Sequence, residues 1–353
     1  MQKKLLWMNF NPSFEEGGTY KNYSAFFKYL LVIIIITGCT LLPKYKKLDN
    51  SSTITHGSHQ SEWKPKNSKS EWWYATGNLV DEKGNLYFYQ FTIFHTVRLG
   101  AQAYATHIAF SDYQTNDHIF DEKIYFHQYN YSFTDDNIQV GGNIISLNDN
   151  QIIMDVSTKK LQYNLISVST KPVVWHGQDG VISMGNPNNP SENSFYYSFT
   201  NMITTGSVSY KNKDGEQVNL RVTGSSWFDR QWGEFSERKW NWFSLRFDDG
   251  EEVMLFSFPD TGYERATFIA KDGTTSQFHD FSIVTQKLIE VKNSKVGHGW
   301  SIKIPMKEQE YTIEPLSEND KNPNMVVDYW EGLCKIVNSK GEVKGWAVVE
   351  VTE

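Results

Sequence analysis

A carboxylate and a guanidinium stand side by side in an aromatic segment near the middle of this 353-residue chain. Asp229 and Arg230 lie within residues 222–234 (VTGSSWFDRQWGE), and residues 239–243 (KWNWF) add two more tryptophans. Indole rings exclude water and thereby raise a carboxyl pKa, whereas a neighbouring guanidinium lowers it. A carboxyl that stays protonated can donate a proton to an alkene or carbonyl, and aromatic faces can stabilise the resulting cation. Asp229 is therefore the candidate general acid of a hydration.

A structural role is the competing interpretation of Asp229. A buried carboxylate can form an ion pair with Arg230 or accept hydrogen bonds from backbone amides, and such networks also perturb pKa values. On the residues alone, we favour this structural role over the catalytic one.

Other kinds of active site are not indicated. The nine histidines are scattered, and neither a His-Glu-x-x-His nor a Cys-x-x-Cys pattern occurs. Residues 224–227 (GSSW) lack the second glycine of a nucleophile elbow, and the chain has no glycine-rich phosphate loop. We predict no metal and no cofactor.

Further aromatic segments supply candidate pocket residues. In residues 171–180 (KPVVWHGQDG), His176 stands at the corner of a turn, where it either caps the turn, which we favour, or contacts a ligand. Residues 194–200 (SFYYSFT) alternate aromatic and polar side chains, which is typical of a strand that lines a core or a pocket. The predicted ligand-binding set is Trp72, Trp73, Tyr89, Trp175, His176, Tyr196, Tyr197, Trp227, Arg230, Trp232 and Trp242.

Short β-strands must position these side chains. Residues 85–95 alternate with aromatic side chains on both faces, as expected of a strand between a core and a covering layer. Similar patterns recur as far as residue 351, separated by Asp/Gly turns such as residues 81–84 (DEKG) and 248–250 (DDG). Helical periodicity is scarce. The chain is therefore predicted to be an all-β antiparallel barrel or sandwich protein.

A faint internal repeat divides the strands into two halves. Residues 71–74 (EWWY), which precede a strand and an Asp/Gly turn, are echoed by residues 239–242 (KWNW) before a similar strand and turn. We predict an N-terminal barrel over residues 70–235 and a C-terminal barrel over residues 236–353. Asp229 then lies at the seam between them, and clefts between domains are favoured ligand sites.

Composition limits the possible partners. Aromatic residues make up 15% of the chain, enough to line a pocket or fill a wide core. The net charge is −7 and no basic run is present, so we predict no nucleic-acid partner. The only cysteines, Cys39 and Cys334, cannot build a disulfide framework.

The N-terminal residues are typical of a lipoprotein leader. An apolar run at residues 29–36 (YLLVIIII) follows basic residues and is shorter than the ~20 residues of a membrane-spanning helix. Residues 36–39 (ITGC) resemble the lipobox of bacterial lipoproteins, which implies cleavage before Cys39. We predict a lipoprotein signal peptide at residues 1–38. An ordinary signal peptide or a short buried segment is the alternative.

Lipidation of Cys39 would attach the protein to a membrane, because several acyl chains together anchor a protein stably. Residues 39–69 contain few periodic apolar positions and are predicted to be a tether. Thr40, where an inner-membrane lipoprotein would carry Asp, is consistent by resemblance with sorting to the outer membrane, facing the periplasm.

A series of motifs resembles one protein family. The family is that of tandem-lipocalin proteins, which includes the bacterial carotenoid 1,2-hydratases (hydroxyneurosporene synthases) and related secreted lipocalin-like proteins. The resemblance implies two lipocalin-like antiparallel β-barrels packed side by side, with a pocket for an isoprenoid or another long lipid. In chain order, the motifs are residues 70–74 (SEWWY), 89–92 (YQFT), 171–177 (KPVVWHG), 195–198 (FYYS), 227–233 (WFDRQWG) and 240–244 (WNWFS).

In the hydratases, the aspartate that matches Asp229 protonates a terminal double bond. This chain departs from the hydratase pattern nearby, with Trp227 before the motif and Gln231 where many other relatives carry Glu. Fungal relatives that guide cycloadditions have a similar architecture without acid chemistry. Two hypotheses follow: a membrane-anchored lipoprotein that binds an apolar ligand, which we favour narrowly, and an isoprenoid hydratase or cyclase with Asp229 as general acid. The sequence does not indicate an oligomeric state.

Overall fold

The computed structural model describes residues 57–66, 68–98, 101–177, 179–235, 239–307, 309–324 and 328–352. The predicted signal peptide, Cys39 and most of the predicted tether lie outside these ranges. The described residues form two antiparallel β-sheets, and both sheets belong to one compact unit. Among these residues, no helix has the length and apolar character needed to cross a membrane.

The first sheet is a nearly closed barrel. In hydrogen-bonded order its main path is β4-β3-β2-β1-β13-β12-β9-β8-β7-β6-β5, and β10 and β11 also pair with β12. Because the first strand pairs with the last, the sheet curls back on itself and stays open between β4 and β5. Its strands are β1 (Ser70–Asp81), β2 (Leu86–Arg98), β3 (Ala101–Asp112), β4 (Asp117–Tyr125), β5 (Tyr131–Phe133), β6 (Asn137–Val140), β7 (Asn143–Asn148), β8 (Gln151–Ser157), β9 (Leu161–Ser169), β10 (Val174–Trp175), β11 (Val181–Ser183), β12 (Asn193–Lys211) and β13 (Gln217–Gly233).

The second sheet is a half-barrel. Its main path is β17-β16-β15-β14-β23-β22-β20-β19-β18, and β21 pairs with β22. Its strands are β14 (Asn241–Phe247), β15 (Glu252–Phe258), β16 (Tyr263–Ile269), β17 (Thr275–Phe278), β18 (Ser282–Val291), β19 (Ser294–Ile304), β20 (Gln309–Pro315), β21 (Lys321–Asn322), β22 (Tyr329–Asn338) and β23 (Val343–Thr352). Short 3₁₀ helices at Gln128–Asn130, Pro190–Glu192 and Pro305–Lys307 lie between strands.

The two sheets share one connectivity. Strand β1 lies between β2 and β13, the second and last strands of its sheet, just as β14 lies between β15 and β23. These two strands begin at the repeated sequence units, residues 71–74 and 239–242. The predicted all-β fold is confirmed. The division of the chain at residue 235 stays a prediction.

Local sequence explains the individual strands. In β9 the residues facing inward, such as Leu161, Tyr163 and Leu165, are buried and alternate with exposed polar ones, as the two-residue period of a strand requires. In the turn between β1 and β2, Asp81 accepts hydrogen bonds from the backbone amides of Lys83 and Asn85 (both 2.9 Å), and Gly84 adopts a positive φ of 84°. A side-chain acceptor and a glycine thus form this hairpin turn.

Apolar side chains form three separate cores. One fills the first barrel, one lies inside the half-barrel, and the third lies between the outer faces of the two sheets. The third core is rich in large side chains, among them Tyr196, Trp227, Trp242, Phe256 and Leu333. Aromatic side chains of this size each bury 150–250 Å² in typical proteins, so this core joins the two sheets firmly.

Residues 57–66 pack against the first barrel, although they belong to the predicted tether. Trp63 is fully buried and its ring lies 5.6 Å from that of Phe228. Its carbonyl accepts a hydrogen bond from Nε1 of Trp73 (2.9 Å), and Tyr197 donates to the carbonyl of His59 (3.2 Å). This segment is therefore part of the folded core.

Candidate active site

Strand alternation separates Asp229 from Arg230. On β13, Trp227 and Asp229 face the second sheet, whereas Phe228 and Trp232 belong to the core inside the first barrel. Arg230 lies on the barrel side, where its guanidinium forms an ion pair with Glu71 (2.6 Å). The ion pair that the sequence suggested between Asp229 and Arg230 does not form, because neighbouring residues on a strand point to opposite faces.

Asp229 is buried, with 4% of its surface exposed, and polar side chains surround its carboxyl group. Oδ2 accepts a hydrogen bond from Tyr196 (2.8 Å), and Oδ1 accepts from Nε1 of Trp227 (2.5 Å) and from Ser198. Burial raises the pKa of Asp229 to about 7, although these three hydrogen bonds act in the opposite direction. A substantial fraction of Asp229 is therefore protonated at neutral pH.

The second sheet holds the donors of Asp229 in place. Nε1 of Trp242, on β14, donates to the hydroxyl oxygen of Tyr196 (3.2 Å). The Trp242 ring also meets Trp227 and Tyr74 edge to face, at centroid distances of 6.0 and 5.4 Å. The orientation of the hydrogen bonds to Asp229 thus depends on both sheets.

His176 extends this network away from Asp229. Its Nε2 lies 2.7 Å from Oγ of Ser198 and its Nδ1 lies 2.9 Å from Oγ1 of Thr267, while its ring stacks on Tyr196 at 4.1 Å. Burial lowers the pKa of His176 to about 3, so the imidazole is neutral at physiological pH. Because both ring nitrogens are engaged, the turn-capping role that we favoured from the sequence is wrong.

A cavity of about 30 Å³ lies beside Asp229, between the two sheets. This volume is enough for one or two water molecules. Four of the lining residues, Trp72, Phe94, Trp240 and Glu350, are half-buried, and the others are buried. The full lining is Trp72, Tyr74, Thr92, Phe94, Asp229, Gln231, Trp240, Trp242, Phe256 and Glu350.

A second carboxyl group, missed in the sequence, lines the same cavity. Glu350 on β23 is half-buried and accepts a hydrogen bond from Nε1 of Trp240 (3.2 Å). Burial raises the pKa of Glu350 to about 7, and the charge of Asp229 adds to the increase. The signal available in the sequence was one acidic residue within the apolar strand at residues 347–351 (AVVEV).

Glu331 stands next to Glu350 as its cross-strand partner on β22. It is fully buried, its Oε1 accepts a hydrogen bond from Tyr74 (2.8 Å), and its Oε2 has no hydrogen-bond partner. Burial and the charge of Glu350 raise the pKa of Glu331 well above its usual value. Burial therefore favours the protonated form of Glu331, and Tyr74 links it to the wall of the cavity.

The predicted ligand-binding residues divide between two places. Trp72, His176, Tyr196, Trp227 and Trp242 gather around Asp229 between the sheets. Trp73, Tyr89, Trp175, Tyr197, Arg230 and Trp232 pack instead in or against the core of the first barrel.

Arg230 organises the barrel group. Its guanidinium lies over the rings of Trp73 (4.0 Å) and Trp232 (4.9 Å) and donates to the carbonyl of Lys64 (3.0 Å). Its partner Glu71 also accepts from the backbone amide of Lys66 (3.0 Å). Arg230 thus ties residues 57–66 to the barrel, and a ligand-contacting role for it stays a prediction.

Metal binding has no evident place in this arrangement. Within the part of the chain that the structure describes, no group of three or more His, Cys, Asp and Glu side chains is positioned to hold a metal ion. The polar groups of the site are hydroxyls, carboxyls, indole nitrogens, the amide of Gln231 and one neutral imidazole.

Comparison with known proteins identifies relatives of this fold. The family described as AttH-like matches residues 56–353. No curated protein sequence matches the chain. Among solved structures, an AttH protein of Nitrosomonas europaea is similar, with a TM-score of 0.75 and 22% identity over 85% of this chain and 97% of its own.

Two more distant structures share the fold. Kievitone hydratase of Nectria haematococca aligns with a TM-score of 0.67 and 16% identity, covering 89% of this chain and 98% of its own. CghA, solved with Sch210972, aligns with a TM-score of 0.59 and 11% identity, covering 90% and 97% of the two chains. At these identities the likeness establishes the fold alone.

Proposed function

The chain belongs to the AttH-like family, and we propose that it adds water to a carbon–carbon double bond of an apolar small molecule at the cavity between its sheets. One observation carries the proposal. Asp229 is a buried carboxyl without a cation among its hydrogen-bond partners, and burial keeps it partly protonated at neutral pH. A general acid works best when its pKa lies near the working pH.

The surroundings of Asp229 suit alkene protonation. Transfer of its proton to one alkene carbon leaves a cation on the other, and aromatic faces attract cations. The rings of Tyr74, Trp242 and Phe256 line the cavity where this charge would form. Water then adds to the cation, and loss of one proton from that water completes the hydration.

The cavity walls also indicate the class of substrate. Trp72, Phe94 and Trp240 form an aromatic approach to Asp229, which favours an isoprenoid chain or a prenyl group over a charged ligand. With a cavity of about 30 Å³, only the reacting end of such a molecule would reach the acid. The structural likeness to kievitone hydratase, whose name denotes a hydration, supports this reaction class.

A binding protein without turnover is the second candidate function. The observation in its favour is that CghA, which shares the fold, was solved with a small organic molecule. In this alternative, the same aromatic walls would hold an apolar ligand, and Asp229 would act only as a hydrogen-bonding group.

We also propose that lipidated Cys39 anchors the protein in the cell envelope, at the outer membrane facing the periplasm. Residues 57–66 follow the predicted anchor in the chain. Lys64 of this segment forms an ion pair with Asp135, and Gln60 donates a hydrogen bond to Asp136. Phe126, Tyr129 and Phe133, exposed by 61%, 83% and 49%, lie close by in sequence. Phe and Tyr suit a bilayer surface. Fractionation and mass spectrometry of the parent and Cys39→Ser proteins test the acylation, which would be lost in the variant.

The hydration is tested with the purified protein and a panel of polyenes and prenylated phenols in H₂¹⁸O. A hydrated product carries one ¹⁸O atom, and we expect Asp229→Asn to lower its rate of formation at least about a hundredfold. Asp320→Asn is the matched control, because Asp320 is equally buried and burial also raises its pKa to about 7, but it does not line the cavity. An Asp229→Asn variant as active as the parent would contradict the proposal.

Absence of hydrated product from the parent protein would favour the binding alternative. Native mass spectrometry then decides whether an apolar molecule is retained. A protein with neither turnover nor a bound molecule would contradict both candidates.

A further inference from the structure

Glu350 and Asp229 line one cavity from opposite sheets. Asp229 is on β13 of the first sheet, and Glu350 is on β23 of the second, paired with Trp242 in strand register. Both side chains line the same cavity of about 30 Å³, and the charge of Asp229 adds to the raised pKa of Glu350. The space between the walls is large enough for one or two water molecules.

We infer that Glu350 accepts the proton of the attacking water, so that the two sheets contribute one acid and one base to the same hydration. This inference rests on the proposed function, and it assigns a catalytic role to a residue that the sequence motif around Asp229 does not contain.

Asp229 and Glu350 together supply and accept every proton that the hydration requires. Protonated Asp229 gives its proton to an alkene carbon, and the π electrons form the new C–H bond. The water oxygen then forms a C–O bond with the cationic carbon as ionised Glu350 removes one water proton. Asp229 is left ionised and Glu350 protonated, and transfer of the proton back through cavity water restores the starting state.

The charged surroundings favour one shared proton at neutral pH. Within the part of the chain that the structure describes, the titratable groups interacting with Glu350 are Asp229, Glu331, Tyr74 and Tyr329, none of which is a cation. The two tyrosines are neutral, because burial raises the pKa of each, and burial favours the protonated form of Glu331 as well. Two neighbouring carboxyl groups of similar pKa avoid ionising together, so one stays protonated as an acid while the other is a base.

The hydrogen bond from Trp240 gives Glu350 a fixed position. Nε1 of Trp240 donates to Oε1 of Glu350, and the backbone amide of Trp240 donates to Oγ1 of Thr352 (2.8 Å), two residues further along β23. The Trp240 ring stacks on Trp72 of the first sheet at 6.2 Å. A base tethered in this way meets the water without an entropic cost for ordering its side chain.

The experiment compares Glu350→Gln with Glu331→Gln. Both changes preserve shape, and thermal melting verifies that each variant folds. We expect Glu350→Gln to lower hydration about a hundredfold or more, whereas Glu331→Gln, a change at a group whose protonated form burial already favours, keeps most activity.

The pH profile distinguishes a base from a structural residue. Hydration by the parent should follow a bell-shaped curve near pH 7, because it needs ionised Glu350 and protonated Asp229. The fall at acidic pH should vanish in Glu350→Gln, while the fall at alkaline pH, caused by Asp229, remains.

Deuterium incorporation distinguishes the role of Glu350 as base from the proposed role of Asp229 as acid. In D₂O, Glu350→Gln should still incorporate deuterium into recovered alkene, since deuterated Asp229 adds D⁺ to the carbon and the cation re-forms the alkene by losing H⁺ from a C–H bond to the Asp229 carboxylate. Hydration at the parent rate by Glu350→Gln would overturn the role of Glu350 but leave Asp229 as the acid. Absence of both hydration and deuterium incorporation in the parent would overturn the proposed function, and the inference with it.

Discussion

At Asp229, desolvation raises the pKa of the carboxyl group by more than its three hydrogen bonds lower it. Each hydrogen bond to a charged group typically stabilises it by about 1.5–3 kcal/mol, yet the pKa of this carboxyl is raised to about 7. The donors are neutral, because they are a serine, a tyrosine and an indole. The cation that would have held the pKa low, Arg230, lies on the other face of the strand.

At Glu71, on the adjacent strand β1, the groups that lower the pKa outweigh desolvation. Glu71 is as buried as Asp229, and burial raises its pKa, but Arg230 and His95 outweigh that effect and hold the pKa below its usual range. The nearest polar group thus decides whether a buried carboxyl in this molecule is a proton donor or one half of an ion pair.

The first prediction concerns this ion pair. Arg230→Met should lower the free energy of unfolding by about 3–5 kcal/mol, because it leaves the Glu71 carboxylate buried beside His95 without its guanidinium. Urea unfolding of the single variants and of the double variant Arg230→Met/Glu71→Leu measures the coupling. The double variant should recover much of the loss, and equal stability of Arg230→Met and the parent would disprove the assignment.

Among the elements, strands β12 and β13 connect the barrel with the site. They pair along most of their length, 19 and 17 residues, and their outward-facing positions include Tyr196, Ser198 and Asp229. A register shift between Phe199 and Met202 interrupts the pairing just beyond the site. The strands that carry the acid are therefore held by the barrel core on one face and by the second sheet on the other.

The second prediction concerns the segment at residues 57–66. Trp63→Ala should lower the free energy of unfolding by about 3–5 kcal/mol, because a fully buried indole is removed from the barrel core. Lys64→Ala is the matched control one residue away, and its exposed ion pair with Asp135 should contribute at most about 1 kcal/mol. Urea denaturation checks both values. Similar small losses in the two variants would show that the segment is a tether.

Across the whole molecule, the contact between the two sheets is unusually acidic for buried surface. Asp229, Asp320 and Glu350 lie in or beside the layer between the sheets, and burial raises the pKa of each to about 7. Asp320 accepts hydrogen bonds from Ser111 on β3 (2.7 Å) and from Tyr113, which directly follows β3 (2.9 Å). Asp320 therefore helps join the two halves.

The third prediction follows from these pKa values. These three carboxyls bind protons more tightly in the folded protein than in the unfolded chain between about pH 4 and pH 7, so their contribution to the free energy of unfolding should fall as the pH rises through this range. Each fully buried aspartate contributes at most about 4 kcal/mol to the change. We therefore expect a higher melting temperature at pH 5 than at pH 8.

The control for this prediction removes the ionisable groups. The triple variant Asp229→Asn/Asp320→Asn/Glu350→Gln should lose this fall and become less stable at pH 5 than at pH 8, because His118 and His176 stay neutral in the folded protein but take up protons in the unfolded chain. Burial lowers the pKa of His118 to about 4 and that of His176 to about 3, so these two histidines oppose the effect of the carboxyls below about pH 6.5. A triple variant with the pH dependence of the parent would rule out this account of the interface.

Local pattern was enough to predict the strands and the place of Asp229. The alternation of apolar and polar residues has the period of the backbone itself, and the repeat of residues 71–74 at residues 239–242 marked two halves with one connectivity. The motifs also identified the family to which the chain belongs. These features depend on short-range geometry, which a sequence displays directly.

Only the tertiary structure decided which groups meet. Glu350 follows Asp229 by more than a hundred residues, and Arg230 pairs with Glu71 rather than with its neighbour in the chain. Trp63 enters the barrel core from a segment without strand periodicity. Contacts of this kind depend on how the sheets twist, close and pack against each other, and the periodicity of a single strand carries no information about its distant partners.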